Sequence, residues 1–207
     1  MKRSLNIIFL ILSVTVLINC SDKRSISDLG QLTKYINNAD NGLVKEKTIG
    51  VITYKLKYLP TEYLVHKQLD AGSNKTIIDS LSKDYKNSIT FLFSIGPSDD
   101  KSFDITQYGV TNYGEFANLI EKMCFRANEL IYIQDQSGKE HKPAIVQMEN
   151  INALEKHRNL MVVFHNEDYF SNDFSFVFND ELFNTGINKF LFKSKDINDV
   201  PKIISKS

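Results

Sequence analysis

Apolar and polar residues alternate along several short stretches of the chain. Over 52–58 every second residue is apolar, and the alternation returns over 88–95, just before Gly96 and Pro97. Successive side chains of a strand point to opposite faces, so this spacing is typical of a strand with one buried face. After residue 126 five further strands are predicted, separated by polar segments and by turn residues such as Gly138, Asn179-Asp180 and Gly186: 129–134, 143–149, 160–166, 173–179 and 188–194.

A helical spacing of apolar residues occurs in the first half of the chain. In 26–37 and 74–85 the Ile and Leu residues stand three or four positions apart, which is typical of an amphipathic helix. A helical turn is predicted at 63–69. A further helix is predicted to begin near Asn112, whose side chain can cap it while Glu115 reaches back toward the cap.

Phenylalanine is concentrated near the C-terminal end, where 164–192 holds 8 of the 14. In one predicted strand Phe174, Phe176 and Phe178 share a face, and such an aromatic stripe is typical of a core. About seven strands, with two helices inserted between the early ones, predict a mainly β fold, an antiparallel β-sandwich.

The first twenty residues follow a different pattern. A basic start at Lys2 and Arg3 precedes an apolar run from Ile7 to Ile18. Spanning ~30 Å of hydrocarbon takes about 20 helical residues at ~1.5 Å each, so this run is too short for a membrane helix. Its length and its basic flank are typical of an export signal.

The apolar run ends in Leu17-Ile18-Asn19-Cys20, which resembles the lipobox of bacterial lipoproteins. In that family an aliphatic residue stands three positions before an invariant Cys, the signal is cut just before this Cys, and lipid is attached to it. Asn19 departs from the Gly, Ala or Ser that is usual at its position. The resemblance implies a lipid anchor on Cys20 in the cell envelope, and Ser21 in place of Asp favours the outer over the inner membrane. An ordinary cleaved signal and an uncleaved anchor are the alternatives.

Three parts of the chain are therefore predicted: a signal peptide over 1–19, the lipidated Cys and a tether over 20–47, and a single globular domain over 48–207. The helix at 26–37 has two interpretations, a spacer that lifts the domain from the membrane or a helix packed on the domain.

Composition narrows the function classes. Apolar residues make up 42% of the chain, which excludes a disordered tail. Basic and acidic residues are equal at 25 each, and a chain without basic excess lacks the charge that a dedicated nucleic-acid binder needs. With Cys20 lipidated, Cys124 has no partner for an intramolecular disulfide, and it is predicted to be a small buried apolar residue.

The sequence contains none of the motifs G-x-S-x-G, G-x-x-x-x-G-K-[ST], G-x-G-x-x-G or H-E-x-x-H, so neither an enzyme nor a cofactor is predicted. A loop over 165–173 carries weak candidate metal ligands, alternatively a solvated acidic hairpin: His165, Glu167, Asp168 and Asp173. A second polar loop covers 98–104. The charged run 155–158 is predicted to cover the surface, and Lys55 and Lys57 to lie on the outward face of their strand.

Two functions remain open. The first is a membrane-anchored, non-enzymatic envelope lipoprotein that binds a protein partner or supports an assembly. The second is a ligand-, carbohydrate- or metal-binding lipoprotein that uses loops 98–104 and 165–173. Convergence of both loops with His66 or His157 in one pocket would favour the second function.

Overall fold

The computed structural model describes residues 25–69, 75–149 and 155–204. The predicted signal peptide and Cys20 lie outside the described residues. The strands are β1 (Ser25–Ile26), β2 (Val44–Ile49), β3 (Ile52–Leu59), β4 (Ser88–Pro97), β5 (Ile131–Gln134), β6 (Glu140–His141), β7 (Ile145–Met148), β8 (Arg158–His165), β9 (Phe174–Asp180), β10 (Gly186–Phe192) and β11 (Lys202–Ile203).

The α-helices are α1 (Leu29–Asn37), α2 (Thr61–Gln68), α3 (Lys75–Tyr85), α4 (Tyr113–Glu121), α5 (Ala127–Leu130) and α6 (Ser194–Asn198). A π-helical segment, Lys122–Arg126, joins α4 to α5. Within the described ranges, no helix combines the length and the apolar character that crossing a bilayer requires.

Two antiparallel sheets form the body of the protein. The five-stranded sheet has the order β2-β3-β4-β8-β7, and the four-stranded sheet has the order β10-β9-β5-β6. The short strands β1 and β11 pair in parallel beside them. The chain reaches the four-stranded sheet only after β4 and returns to the five-stranded sheet for β7 and β8.

Phenylalanine side chains join the two sheets face to face. The ring centroids of Phe91 and Phe176 lie 5.4 Å apart, and those of Phe93 and Phe178 lie 5.0 Å apart. Both pairs connect β4 to β9, and each ring meets its partner at a steep angle, the geometry that aromatic pairs prefer. The mainly β, antiparallel sandwich is confirmed, and so is the inward face of Phe174, Phe176 and Phe178, all of which are buried.

All seven predicted strands are present, and α3 and α4 are the two helices between early strands. The sequence patterns missed β2, because its inward positions hold Lys45 and Lys47, opposite Leu56 and Tyr54. An edge strand tolerates lysines at inward positions, because their ammonium groups can reach solvent at the edge of the sandwich. The other missed strands, β1, β6 and β11, have two residues each, too few for a pattern.

The tether predicted over 20–47 is wrong from Ser25 onward. Helix α1 buries Leu32 and Ile36 in the main core, and Leu43 joins them there. The helix at 26–37 therefore packs on the domain, and the domain begins well before residue 48. Its two buried residues are one helical turn apart, so the helix has a buried stripe along one face.

Helix α4 begins as predicted, with one change in its cap. The side-chain oxygen of Asn112 accepts from the amide of Glu115 at 3.0 Å. The Glu115 carboxylate accepts from the amide of Thr111 at 2.7 Å, one residue before the cap. One donor that the helix leaves free at its start, the amide of Glu115, is thus satisfied by a side chain, and so is the amide of Thr111 just before the cap.

Candidate functional site

The two predicted loops lie at opposite ends of strand β8. Arg158 begins this strand and binds Asp104 of the first loop, with Nη2 and Oδ2 2.6 Å apart. His165 ends the strand and leads into the second loop. Eight residues of strand span about 23 Å at ~3.3 Å per residue. Loops 98–104 and 165–173 therefore do not form one pocket.

The candidate metal ligands are not assembled into a site. His165, Glu167 and Asp168 are exposed, whereas Asp173 accepts from the amide of Ser194 at 2.9 Å and so fixes the start of α6. Across residues 25–69, 75–149 and 155–204, no group of three or more His, Cys, Asp or Glu side chains is placed to hold a metal ion.

Arg158 is only 5% exposed, so the charged run 155–158 is not wholly a surface feature as predicted. Its Nη1 donates to the carbonyls of Glu155 and His157 at 2.8 and 2.9 Å, and its Nη2 to Asp104. Partial burial raises the pKa of Asp104, but hydrogen bonds from Thr106 and Arg158 outweigh this and hold the pKa below its usual value. The pair fixes loop 98–104 to the sandwich, which is a structural role.

A polar groove of about 370 Å³ lies on the outer face of the five-stranded sheet. The ring of His157 covers Gly96 so closely that a Cβ there would lie 1.9 Å from its Cδ2. Several polar groups in this groove pair with one another: Lys55 forms an ion pair with Glu46 at 3.2 Å, and Ser94 donates a hydrogen bond to Asn159 at 2.6 Å.

Lys55 is exposed as predicted, whereas Lys57 is partly buried, and desolvation lowers the pKa of Lys57.

A second cavity, which we call the end cleft, lies at the His165 end of the sandwich and has a volume of about 460 Å³. Four segments form its walls: 58–62 from the end of β3 and the start of α2, 88–89 from the start of β4, 166–171 after β8, and 197–202 near the C-terminus. Loop 165–173 therefore lines a cavity, but with the C-terminal segment rather than with loop 98–104.

The side chain of Glu62 connects two of the segments that form the end cleft. Its Oε1 accepts from the amide of Ile203 at 2.9 Å and lies 3.6 Å from Nε2 of His66. The carboxylate thus links α2 to β11. His66 contacts the cleft through Glu62 and is not itself one of its lining residues.

The sequence patterns missed a histidine–carboxylate pair on the β5–β6 hairpin. Nε2 of His141 lies 2.8 Å from Oδ2 of Asp135, and its ring stacks on Tyr169 with centroids 3.7 Å apart. The hydroxyl of Ser137 donates to Asp135 at 2.6 Å and not to His141. A nucleophile must contact its base, so this arrangement does not activate Ser137 and instead holds the hairpin turn.

Cys124 lies in the π-helical segment and is partly buried, less than the full burial predicted for it. Desolvation raises the pKa of its thiol. A thiol with a raised pKa is protonated at neutral pH and is a poor nucleophile, which agrees with a packing role.

Strand β10 exposes apolar side chains at the edge of the four-stranded sheet. Ile187 and Leu191 are 59% and 55% exposed, while Phe190 and Phe192 of the same strand face the core. Lys189 lies between the two exposed residues and donates to the side-chain carbonyl of Gln134 at 2.8 Å. Of the strands in the described ranges, only β9 pairs with β10, so one edge of β10 is open.

Comparisons with known proteins give no family for this fold: no protein-family model, no curated protein and no solved structure matches the chain.

Proposed function

We propose that the chain is a membrane-anchored, non-enzymatic envelope lipoprotein whose sandwich binds a protein partner along strand β10. The open edge of β10, flanked by two exposed apolar side chains, is the observation that carries this proposal. The lipobox-like segment ending at Cys20 supports the anchor.

The folded domain begins close to the proposed anchor. Ser25 of β1 is five residues after Cys20, and five residues of extended chain span at most about 18 Å. A lipid on Cys20 would hold the sandwich next to the bilayer. Confinement to the membrane surface raises the effective concentration of a partner in the same membrane.

The other edge strands differ from β10. β2 carries Lys45 and Lys47 on its inward side, and charged residues in such positions oppose pairing with another strand. β7 has four residues and β6 has two. Among the sheet edges of the described residues, β10 combines seven residues with exposed apolar side chains and has neither Pro nor an inward charge. An extended peptide can add to such an edge as one more strand.

Charge defines the expected partner. Lys189 contacts the neutral amide of Gln134, and no carboxylate in the described part of the chain forms an ion pair with it. A complementary strand would place an acidic residue opposite Lys189 and apolar residues opposite Ile187 and Leu191. The partner segment is therefore expected to be extended, with an acid between two apolar residues.

Site-specific photo-cross-linking of the full chain in native envelopes tests this proposal. A photoreactive phenylalanine analogue at Leu191 should form one adduct with an envelope protein, and the same analogue at Ile145 should form none. Ile145 is the matched control, since it is 55% exposed on another edge strand, β7. Lys189→Glu should abolish the adduct at Leu191, and Lys189→Arg should retain it.

Equal adducts at Leu191 and Ile145 would contradict the proposed surface. So would an adduct that Lys189→Glu does not change, or one with the mass of two copies of this chain.

A second candidate function, binding of a small ligand, is favoured by the end cleft.

A further inference from the structure

The end cleft carries charged groups of both signs. Glu62 of α2 and Lys202 of β11 both line it. The Glu62 carboxylate contacts His66 and the amide of Ile203, and Lys202 is not among its partners. Within the described part of the chain, no carboxylate forms an ion pair with Lys202. The cleft therefore presents a carboxylate and an ammonium group that do not pair with each other.

One oxygen of the Glu62 carboxylate is available to a ligand. Both protein contacts of this side chain use Oε1, which lies 2.9 Å from the amide nitrogen of Ile203 and 3.6 Å from Nε2 of His66. Oε2 accepts no hydrogen bond from the residues that the structure describes. The contacts at Oε1 hold the carboxylate in place, so Oε2 can accept a hydrogen bond at a small cost in side-chain ordering.

Asn166 adds a second acceptor to the cleft, which it lines just after β8. Its side-chain nitrogen donates to the carbonyl of Lys86 at 3.1 Å, which leaves its side-chain oxygen as an acceptor. A primary ammonium group has three N–H donors and no acceptor, so it complements a carboxylate oxygen and an amide oxygen. A trimethylammonium group has no N–H and cannot donate to either oxygen.

Apolar side chains form other parts of the cleft wall. Ile89 and Phe170 are buried there, and Pro60 and Val200 line the same cavity. The ring of Phe170 meets that of Phe174 edge to face, with centroids 4.8 Å apart, so this wall is fixed by the core. A preformed apolar wall can cover the carbon chain of a ligand whose charged ends bind elsewhere in the cleft.

The cleft lies beside the point at which the described chain begins. Ser25 of β1 pairs with Lys202 of β11, and Lys202 lines the cleft. Cys20 precedes Ser25 by five residues, which span at most about 18 Å when extended. A lipid on Cys20 would therefore hold the end cleft, rather than the opposite end of the sandwich, next to the bilayer.

From these observations we infer that the end cleft binds the zwitterionic headgroup of a phospholipid with a primary amine, phosphatidylethanolamine. Its ammonium group donates to Glu62 and Asn166, and its phosphate pairs with Lys202, since lysine binds phosphate as a point charge. The apolar wall covers the carbons that adjoin the phosphate. The choice of a lipid over a soluble zwitterion rests on the proposed anchor at Cys20, whereas the partner surface on β10 is independent of it.

Native mass spectrometry of the full chain in a polyoxyethylene detergent tests the inference. The probes are phosphatidylethanolamine, phosphatidylcholine and phosphatidylglycerol with the same acyl chains, and free phosphoethanolamine. One phosphatidylethanolamine should bind per chain, about tenfold more tightly than either other lipid, as expected when charge-assisted hydrogen bonds are lost. Free phosphoethanolamine should bind more weakly than the lipid, since it lacks the carbons that the apolar wall covers.

Two substitutions separate the two charges. Glu62→Gln should remove the preference for phosphatidylethanolamine over phosphatidylcholine, because the amide still accepts from Ile203 but has lost the negative charge. Lys202→Gln should weaken binding of all three lipids about tenfold. Lys195→Gln is the matched control, since Lys195 is exposed on α6 and does not line the cleft. The preference is a ratio measured on one sample, so partial unfolding of a variant cannot mimic its loss.

Equal binding of phosphatidylethanolamine and phosphatidylcholine would overturn the inference, and so would lipid binding that Lys202→Gln leaves unchanged. Free phosphoethanolamine that binds as tightly as the lipid would show a site for a soluble zwitterion and would overturn it too. The lipid is supplied in detergent, so its binding requires neither the anchor nor the partner surface. An unmodified Cys20 together with the expected headgroup preference would contradict the proposed function and support the cleft as a headgroup site.

Discussion

Asp180 shows how a residue that looks like part of a solvated turn can be interior. The sequence places Asn179-Asp180 between two strands, whereas both residues end strand β9 just before the turn, and Asp180 is buried. Its carboxylate accepts from the amides of Leu182, Phe183 and Thr185 at 2.9, 3.0 and 3.1 Å, and from the Tyr54 hydroxyl. These hydrogen bonds, rather than an ion pair with a cation, offset the cost of burying the carboxylate. Only the fold brings Tyr54 and Asp180 together, from 126 residues apart.

The Asp135–His141 pair predicts a pH dependence of stability at the residue scale. Hydrogen bonds from His141 and Ser137 hold the pKa of Asp135 well below its usual value. Because the folded pKa is depressed, this carboxylate stabilises the protein above about pH 4, its unfolded pKa, and that stabilisation is lost as the pH falls further.

Asp135→Asn should therefore lower the free energy of unfolding at pH 6 and flatten its decline in acid. Urea denaturation at a series of pH values measures both effects. Glu140→Gln, an exposed substitution on the same hairpin, is the control and should keep the natural slope. If the free energy of unfolding of Asp135→Asn depended on pH as steeply as that of the natural chain, the Asp135–His141 pair would not contribute to the pH dependence of stability.

Among the elements, the strands with one buried face could be predicted from the sequence and the edge strand β2 could not. In 52–58 and 88–95 the alternation reflects a sheet that has the core on one side only. In β2 the inward positions are Lys45 and Lys47, and the Nζ of Lys45 lies over the ring of Phe192, 5.5 Å from its centroid. The aliphatic part of such a lysine packs on the margin of the core, but in the sequence a lysine predicts an exposed position.

Strand β9 carries a prediction of its own. Phe176 is fully buried and contacts rings of the opposite sheet, so Phe176→Ala should lower the free energy of unfolding by about 3–5 kcal/mol through the cavity it leaves. Phe125→Ala is the matched control, because Phe125 is largely exposed and its replacement should lower the free energy of unfolding only slightly. Chemical denaturation of both variants provides the comparison. An equal loss of unfolding free energy in the two variants would show that the phenylalanine rings of β9 do not hold the two sheets together.

At the scale of the whole molecule, the sequence could not reveal which loops share an end of the sandwich. Loops 98–104 and 165–173 have similar composition, and both were candidates for one site. The pairing of β8 between β4 and β7 places one loop at each end, and it brings the C-terminal segment 197–202 to the second loop instead. The end cleft depends on strand order, which a single sequence does not encode in any local pattern.

Attachment to the membrane gives the last prediction. Cys20→Ser removes the sulfur that would carry the lipid, so the protein should move from the membrane fraction to the soluble fraction of fractionated cells. Each buried acyl CH₂ contributes ~0.8 kcal/mol, so loss of the chains removes nearly all of the expected affinity. Cys124→Ser is the matched control, since it removes the other cysteine and should leave the protein in the membrane fraction.

The Cys20→Ser variant should stay folded, because the first core residue of the described chain, Leu32, comes twelve positions later. Far-UV circular dichroism and the urea midpoint of the released protein should therefore match those of the anchored protein. Retention of Cys20→Ser in the membrane fraction would mean that the apolar run 7–18, rather than a lipid, holds the chain there. The mass of the natural protein separates the two cases, because acyl chains on Cys20 add mass and removal of 1–19 subtracts it.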